Sequence, residues 1–559
     1  MYIRQISRRL ADGSRVRYLQ LAQQVRDPET GVPRDEVLHH FGRADQIDQE
    51  QLRRLIESLS RFLDVGERAR VQARLNGLGD ELEIERSLAY GGGYVLDRLW
   101  HRLELDQALG KLVAERSFGH DVERILFALV ANRALDPRSK LAVERWVGRR
   151  AAIDGLDEVP VQALYRAMDF LVEHCEAIQR TVFFSASSLL NLEVDLLFFD
   201  TTSTYFEIEE ADEDEEGLRR YGKSKDHRPD RPQVVIGLAV TRGGLPVRCW
   251  VLPGNRNDAS LVDEVQRDLA GWKLSRVVWV MDRGMAGEGQ RLALQRGGGQ
   301  VIVGEKLRSG SKEAQEALSR AGRYRRVREN LEVKEITLSS GSETRRFVLV
   351  RNPQQAQRDR AERERLLERL ASEIEALNAR RGSKQQHSRR VCELKAHPSR
   401  GPYVRELKNG ELRIDRARVQ AEERLDGKYL LSTTDSSLSA EDVALGYKQL
   451  AEVERSFRTL KSTLDLRPLY HRLPERIEAH VLLCWLALLL VRLVETETAE
   501  GWELVRDELD QIHRVDLRTK DGDFQVVTKL TDRQRKLLKS LGVTPPKALR
   551  SARLATAAA

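Results

Sequence analysis

The sequence predicts an α/β protein with an alternating strand-and-helix core, a β-rich plus helical insertion within it, and a small sheet and mainly helical region ahead of it. Three observations carry this. Unbroken apolar runs at residues 196–199, 234–240 and 277–281 read as strands buried on both faces. Leu367, Leu370, Ile374 and Leu377 step at helical spacing inside a charged segment, the seam of a short coiled coil or helical hairpin. The run at 481–491 is too short to span a bilayer and reads as a buried helix.

In order along the chain, residues 1–48 form a strand-rich segment, with β-prone runs at 2–6, 16–21 and 37–41 between Gly and Pro turns. Residues 49–190 are helical, interrupted at Gly91-Gly92-Gly93. Their basic cluster, Arg138, Lys140, Arg145, Arg149 and Arg150, makes them the candidate region for binding DNA ends. Residues 191–306 hold strands at 196–199, 234–240 and 247–252, a helix at 260–271, a strand at 277–281, a helix at 285–295 and a strand at 301–303. That is the order of an RNase H-like core. Residues 307–427, with strands at 331–338 and 346–350 before the charged helix, read as an insertion domain. Residues 428–500 return to the core through a strand at 429–432 and a helix over 447–461. The C-terminal region, 501–559, carries a hairpin around Asp521-Gly522 and a short basic helix at 534–541.

Composition narrows the class. The 559 residues include 94 Lys and Arg against 87 Asp and Glu, a net charge of +7, which suits local basic patches on a polyanion and equally a salt-bridged soluble protein. The four cysteines stand far apart without a CxxC pair, arguing against a zinc ribbon or disulfide framework and for a reducing cytoplasm. The first residues lack the apolar stretch of a secretory signal.

Asp200 follows four apolar residues and precedes Thr201, Thr202 and Ser203, so a buried strand delivers its carboxylate to a polar pocket. Asp195 competes, but an odd separation puts the two on opposite strand faces, and the hydroxyl neighbours favour Asp200. Asp282 ends the run at 277–281, where Gly284 lets the chain turn, and ligand sites gather at the carboxyl ends of such strands. Taken singly, each aspartate equally suits a strand-end turn or a helix cap. On the 447–461 helix a seven-residue spacing aligns Tyr447, Glu454 and Lys461, and Arg458 joins their stripe. By itself this stripe equally suits a solvated face with a Glu454–Arg458 pair.

Together the carboxylates of Asp200, Asp282 and Glu454, without a Cys or His cluster, suit a hard cation, Mg²⁺ or Mn²⁺. Two such ions can drive an in-line phosphodiester displacement with no covalent protein nucleophile. Arg458 and Lys461 would then hold the backbone phosphate, and Tyr447 would stack or hydrogen-bond at the DNA terminus. The residues alone thus indicate a metal-dependent phosphodiesterase acting on nucleic acid. Gly217 to Ser224 also satisfies the nucleotide-binding pattern GxxxxGK[ST]. An acidic run precedes it where a strand is needed, and Pro229 and Pro232 follow where a helix is needed, so a loop is expected and no nucleotide cofactor.

These residues resemble the DDE transposases of bacterial insertion sequences, in the branch called the family-four superfamily. The resemblance covers residues 200–493. It rests on Phe199-Asp200-Thr201-Thr202, Gln233 with the apolar residues after it, Leu252-Pro253-Gly254-Asn255 with Asp258, Met281-Asp282-Arg283-Gly284, and the stretch from Val453 through Glu454 and Arg458 to Lys461. Where the family carries an Arg between its Tyr and Glu, this chain has Leu450, which removes one phosphate contact and points to a side branch. The resemblance implies an RNase H-like catalytic domain with the metal triad Asp200, Asp282 and Glu454. It also implies a DNA transposase that binds its element's terminal inverted repeats. Water would attack first and a freed 3′-hydroxyl would then attack target DNA. A homodimer bridging two double-stranded DNA ends is implied as well, in a bacterial cytoplasm on nucleoid DNA, with no membrane. An RNase H-like nuclease that cuts without joining, or a non-catalytic DNA-binding relative, would share most of these residues.

Overall fold

The computed structural model describes residues 2–9, 15–26, 33–44, 46, 49–60, 83–116, 118–189, 196–214, 217–256, 278–281, 300–308, 310–340, 343–379, 384–519 and 522–554. The chain divides into two compact units, residues 1–87 with 514–529 and 546–559, and residues 88–513 with 530–545.

In the first unit, β1 (Tyr2–Arg9), β2 (Arg15–Arg26) and β3 (Pro33–Arg43) form an antiparallel sheet in that order, longer strands than the short runs predict. Alternation orients it: Val16, Gln20 and Ala22 of β2 are buried. A helix, Gln49–Ser60, follows. Residues 83–89, expected to be helical, instead form β4 (Glu83–Ala89). Cross-strand charge pairs hold this polar segment extended, Arg86 on Asp516 at 2.7 Å and Glu85 on Arg518 at 2.5 Å.

The second unit opens with six helices, Gly91–Arg102, Leu105–Val113, Val122–Leu135, Lys140–Trp146, Val161–Glu173 and Cys175–Leu189. The glycines read as an interruption are the first turn of a helix. A Cβ on Gly91 would lie 2.4 Å from the Leu509 carbonyl oxygen and one on Gly92 2.5 Å from Leu135, so glycine serves close packing there. The apolar run at 481–491 belongs to a longer helix, Pro474–Thr498. That helix has the length and apolarity to cross a membrane, but 94% of its most apolar window is buried in the protein. It packs on helices Val122–Leu135 and Val161–Glu173, which is why it is apolar on every face.

One member of the expected basic cluster is inside. Lys140 is 4% exposed, its Nζ 3.3 Å from His480 Nδ1, with His480 Nε2 3.8 Å from Cys484 Sγ. Burial, reinforced by Arg133, pushes its pKa down from 10.5 to about 7, and burial likewise lowers His471 to about 4 and His480 well below its usual range. Between about pH 7 and 10.5 the unfolded chain therefore binds the extra proton, and this lysine's contribution to stability rises with pH through that window. Lys140→Met is expected to raise Tm by roughly 5 °C near neutral pH and below. The gain should shrink as pH approaches the unfolded lysine's pKa, as read by thermal melts across pH.

Then comes the central sheet: β5 (Leu196–Tyr205), β6 (Gln233–Thr241), β7 (Pro246–Pro253), β8 (Val278–Met281) and β9 (Gln300–Glu305). Beyond them β10 (Arg325–Arg328), β11 (Leu331–Ser340) and β12 (Glu343–Arg351) lead to the small hairpin of β13 (Val404–Glu406) and β14 (Leu412–Ile414), and the chain returns through β15 (Lys428–Thr433). Nine of these strands form one mixed sheet, ordered β10-β11-β12-β15-β9-β8-β5-β6-β7. β8 runs parallel to both β5 and β9, whereas β6 is antiparallel to β5 and β7. Three strands of the 307–427 segment, β10, β11 and β12, thus extend the central sheet through β15, while β13 and β14 stay apart as a hairpin. The helices expected at 260–271 and 285–295 lie outside the described residues.

The predicted seam closes a helical hairpin. Leu370, Ile374 and Leu377 of helix Pro353–Ala379 pack with Val391 and Leu394 of helix Lys384–Ala396 and with Leu412, with Leu367 at the margin. The bidentate Arg363–Asp426 pair, whose Arg side chain is 8% exposed, ties this hairpin to the segment leading into β15. At the C-terminal end, β16 (His513–Thr519) and β17 (Gly522–Val527) make the expected hairpin, and with β18 (Leu549–Leu554) they give the sheet order β18-β17-β16-β4. The basic helix is Asp532–Ser540.

Candidate functional site

Asp200 does not end its strand. β5 continues through Thr201, Thr202, Ser203 and Thr204, all nearly inaccessible, because their backbone pairs with β6 up to Tyr205↔Gln233. What ends is the neighbour. The parallel pairing of β5 with β8 runs to Phe198↔Val280, and β8 stops at Met281. Asp200 therefore stands at the carboxyl end of the parallel pair, where α/β sheets form ligand crevices. Phe199, facing the opposite side, is locked between Trp250 and Trp279, with ring centroids 5.5 and 6.4 Å away. The Asp200 carboxylate is 21% exposed and accepts a 2.7 Å hydrogen bond from the Thr201 N–H. Asp282 follows Met281 directly in sequence and, like Asp195 and Asp258, lies outside the described residues.

The single helix expected over 447–461 is two, Ala440–Lys448 and Ala451–Ser462. Three-residue turns join them: the Leu450 N–H bonds the Tyr447 carbonyl at 3.1 Å and the Glu452 N–H bonds the Gln449 carbonyl at 2.8 Å. This tightening breaks the register that put Tyr447 on the stripe of Glu454. Tyr447 lies instead beside the Tyr429 ring, centroids 5.8 Å apart. Leu450, standing where the resemblance would place an arginine, is 8% exposed in the core.

The second helix packs on β5 and β6 through Val453, Phe457 and Leu460. Its two acids differ in kind. Glu452 bonds Arg492 at 2.5 Å, a structural tie to the long apolar helix. Glu454 and Arg458 are exposed, and neither side chain has a hydrogen bond or ion pair among the described residues, so the surface pair that an ordinary helix face would show is missing. Lys461 is only 12% exposed and donates to Asp226 Oδ1 at 2.7 Å, which also takes Arg467 at 2.6 Å. Burial lowers the Lys461 pKa and Asp226 opposes it.

Two residues not singled out by the sequence reading, Lys225 and Asp226, span these parts. The Lys225 N–H donates to Ser203 Oγ at 2.8 Å, its ammonium donates to the Thr201 carbonyl and hydroxyl at 2.7 Å each, and it lies 3.9 Å from Asp200 Oδ1. Ser224 Oγ accepts from the N–H groups of Asp226 and Arg228, fixing the turn between them. The Gly217–Ser224 stretch forms neither a strand nor a helix in its described residues, as expected; a Cβ on Gly222 would lie 2.1 Å from the Gly254 carbonyl. In the sequence Lys225 directly follows that nucleotide-like pattern. Among the described residues no three His, Cys, Asp or Glu side chains gather closely enough to hold a metal; Asp282 is not among them.

No curated protein matches the chain. A solved structure of a piggyBac transposase synaptic complex with hairpin DNA is distantly similar, at 10% identity and TM-score 0.32, over 72% of this chain and 75% of that one. Residues 3–70 match the N-terminal domain of IS1634 family transposases. Residues 199–490, just over half of the chain, match the transposase DDE domain. The chain belongs to the DDE transposase family and is the DNA transposase of an insertion sequence.

Proposed function

We propose that Asp200, Asp282 and Glu454 form the catalytic triad of an RNase H-like core, which binds terminal inverted repeats and both cuts and joins DNA with Mg²⁺ or Mn²⁺. One observation carries this reading. Asp200 stands where β8 stops, one residue before Asp282, while the helix bearing the exposed Glu454 packs on the same strand. The core order β9-β8-β5-β6-β7, with only β6 antiparallel to β5 and β7, supports the RNase H-like reading.

The donor set fits the ion. Described carboxylates at this site supply hard oxygen ligands, and the Thr201 N–H orients Asp200 through one of its two oxygens. Two bound ions would supply activation of the attacking oxygen and stabilisation of the leaving one. The chain's own residues do the rest: Asp200 and Glu454 approach from strand and helix, and Arg458 meets backbone phosphate. Tyr447, reset by the tight turn, acts at the DNA terminus. Two copies bridge the two element ends, with residues 49–190 contributing end recognition.

The test is cleavage and joining of duplex carrying the inverted repeats that flank the coding region, with Mg²⁺, with Mn²⁺ and with EDTA. Both products in either metal and neither in EDTA are expected. Cutting without strand-transfer product would make the protein a nuclease, and binding without cutting would make it a non-catalytic relative.

A further inference from the structure

We infer that Lys225, not Lys461, is the lysine that meets the DNA phosphate at the reacting end, and that Lys461 is a structural residue serving Asp226. The inference deepens the reading of the site given above and rests on it. A phosphate-binding lysine must present its ammonium to a cleft beside the catalytic carboxylates, because charge-assisted hydrogen bonds act only at contact. Lys461 does not. Its ammonium is 12% exposed and is held at 2.7 Å by Asp226, whose side chain is 4% exposed and which also carries Arg467. Taking Lys461 to a phosphate would leave a buried carboxylate with one of its two cations lost, a strongly unfavourable exchange.

Lys225 is placed for the role in three ways. Its ammonium is 3.9 Å from the Asp200 carboxylate, within the reach of a phosphate oxygen bound there, and the side chain is 35% exposed. Its stem is fixed, with the backbone N–H on Ser203 and the ammonium on both oxygens of Thr201, so little rotamer freedom is left to lose on binding. Its loop is anchored on the far side too, where Arg228 stacks 4.9 Å over the Tyr205 ring and Asp226 grips the Glu454 helix through Lys461. The lysine thus rides on a short strap that spans the strand of Asp200 and the helix of Glu454.

The experiment reads binding, so it does not depend on turnover. Full-length wild type, Lys225→Ala, Lys225→Arg and Lys461→Met are titrated in Ca²⁺ with element-end duplex carrying either a natural phosphate or a neutral methylphosphonate at the terminal position. Wild type is expected to lose roughly ten-fold in affinity on the neutral linkage. Lys225→Ala should lose no more than about two-fold, Lys225→Arg should regain most of the difference, and Lys461→Met, whatever its overall affinity and stability, should keep wild type's roughly ten-fold preference for the charged linkage. Equal sensitivity in wild type and Lys225→Ala would overturn the assignment, as would insensitivity confined to Lys461→Met. Mg²⁺-dependent cleavage by wild type, run in parallel, reports on the catalytic reading separately. Its absence would sink that reading while the phosphate coupling was still measured.

Discussion

Asp200→Ala is expected to lower both cleavage and joining of element ends by on the order of 10³-fold or more, with end binding changed by less than about three-fold. The carboxylate lies at the carboxyl end of the β5–β8 pair, accepts the adjacent Thr201 N–H and is 21% exposed, so its removal takes a ligand from the site and leaves the apolar core around Phe199 in place. Asp200→Asn should be nearly as inactive, because an amide keeps the shape and loses the charge that a divalent cation requires. Gel-resolved single-turnover assays beside a thermal melt would separate the two possibilities. A variant that still cuts at more than about a tenth of the wild-type rate would remove Asp200 from the triad.

The second large effect is on stability. Asp226→Ala leaves Lys461 and Arg467 without their shared anion in a largely enclosed setting, and a loss of about 3 kcal/mol is expected. Lys461 sits one residue past Leu460, a buried contact of the Glu454 helix on the core, so that helix should loosen at its C-terminal end. Lys461→Met should cost less, and in its background Asp226→Ala should cost less than it does alone, since contacting pairs are not additive. Urea unfolding of the four proteins closes the cycle. Simple additivity, or a single-variant loss within about 0.5 kcal/mol, would show that the strap is not held by this charge cluster.

Much of the architecture was legible because its signals are local. The unbroken apolar runs of β6 and β8 are apolar because both faces are covered, and the Leu370–Ile374–Leu377 seam repeats at helical spacing because one face of its helix meets Val391 and Leu394. The hairpin of β16 and β17 was signalled by the Asp521-Gly522 pair in the sequence, and the register pairs Gly522 with Thr519 as the first residue of β17. The departures share another cause. β4 joins a sheet beside β16, more than 400 positions away, where Arg86 meets Asp516, and glycine at 91 lets the Leu509 carbonyl come close to the first turn of its helix. Lys140, counted among surface cations, is enclosed by the long apolar helix. Propensity and periodicity do not see partners distant in sequence.

By itself the sequence determined the chemistry available: three carboxylates in the contexts of two apolar strands and a helix, without sulfur or imidazole ligands, on a chain whose residues 199–490 carry a transposase domain. Residue type and immediate neighbours decide which ion and which reaction a site can support, and both are written locally. Only the tertiary structure decided how the cations are divided. Lys461 shares a helix with Glu454 and was drawn to the same role, yet Asp226, from a loop more than 200 residues earlier, claims it, while Lys225 from that loop arrives beside Asp200. A lysine's charge is fixed by its identity, but what it neutralises depends on which carboxylate the fold brings within a few ångströms.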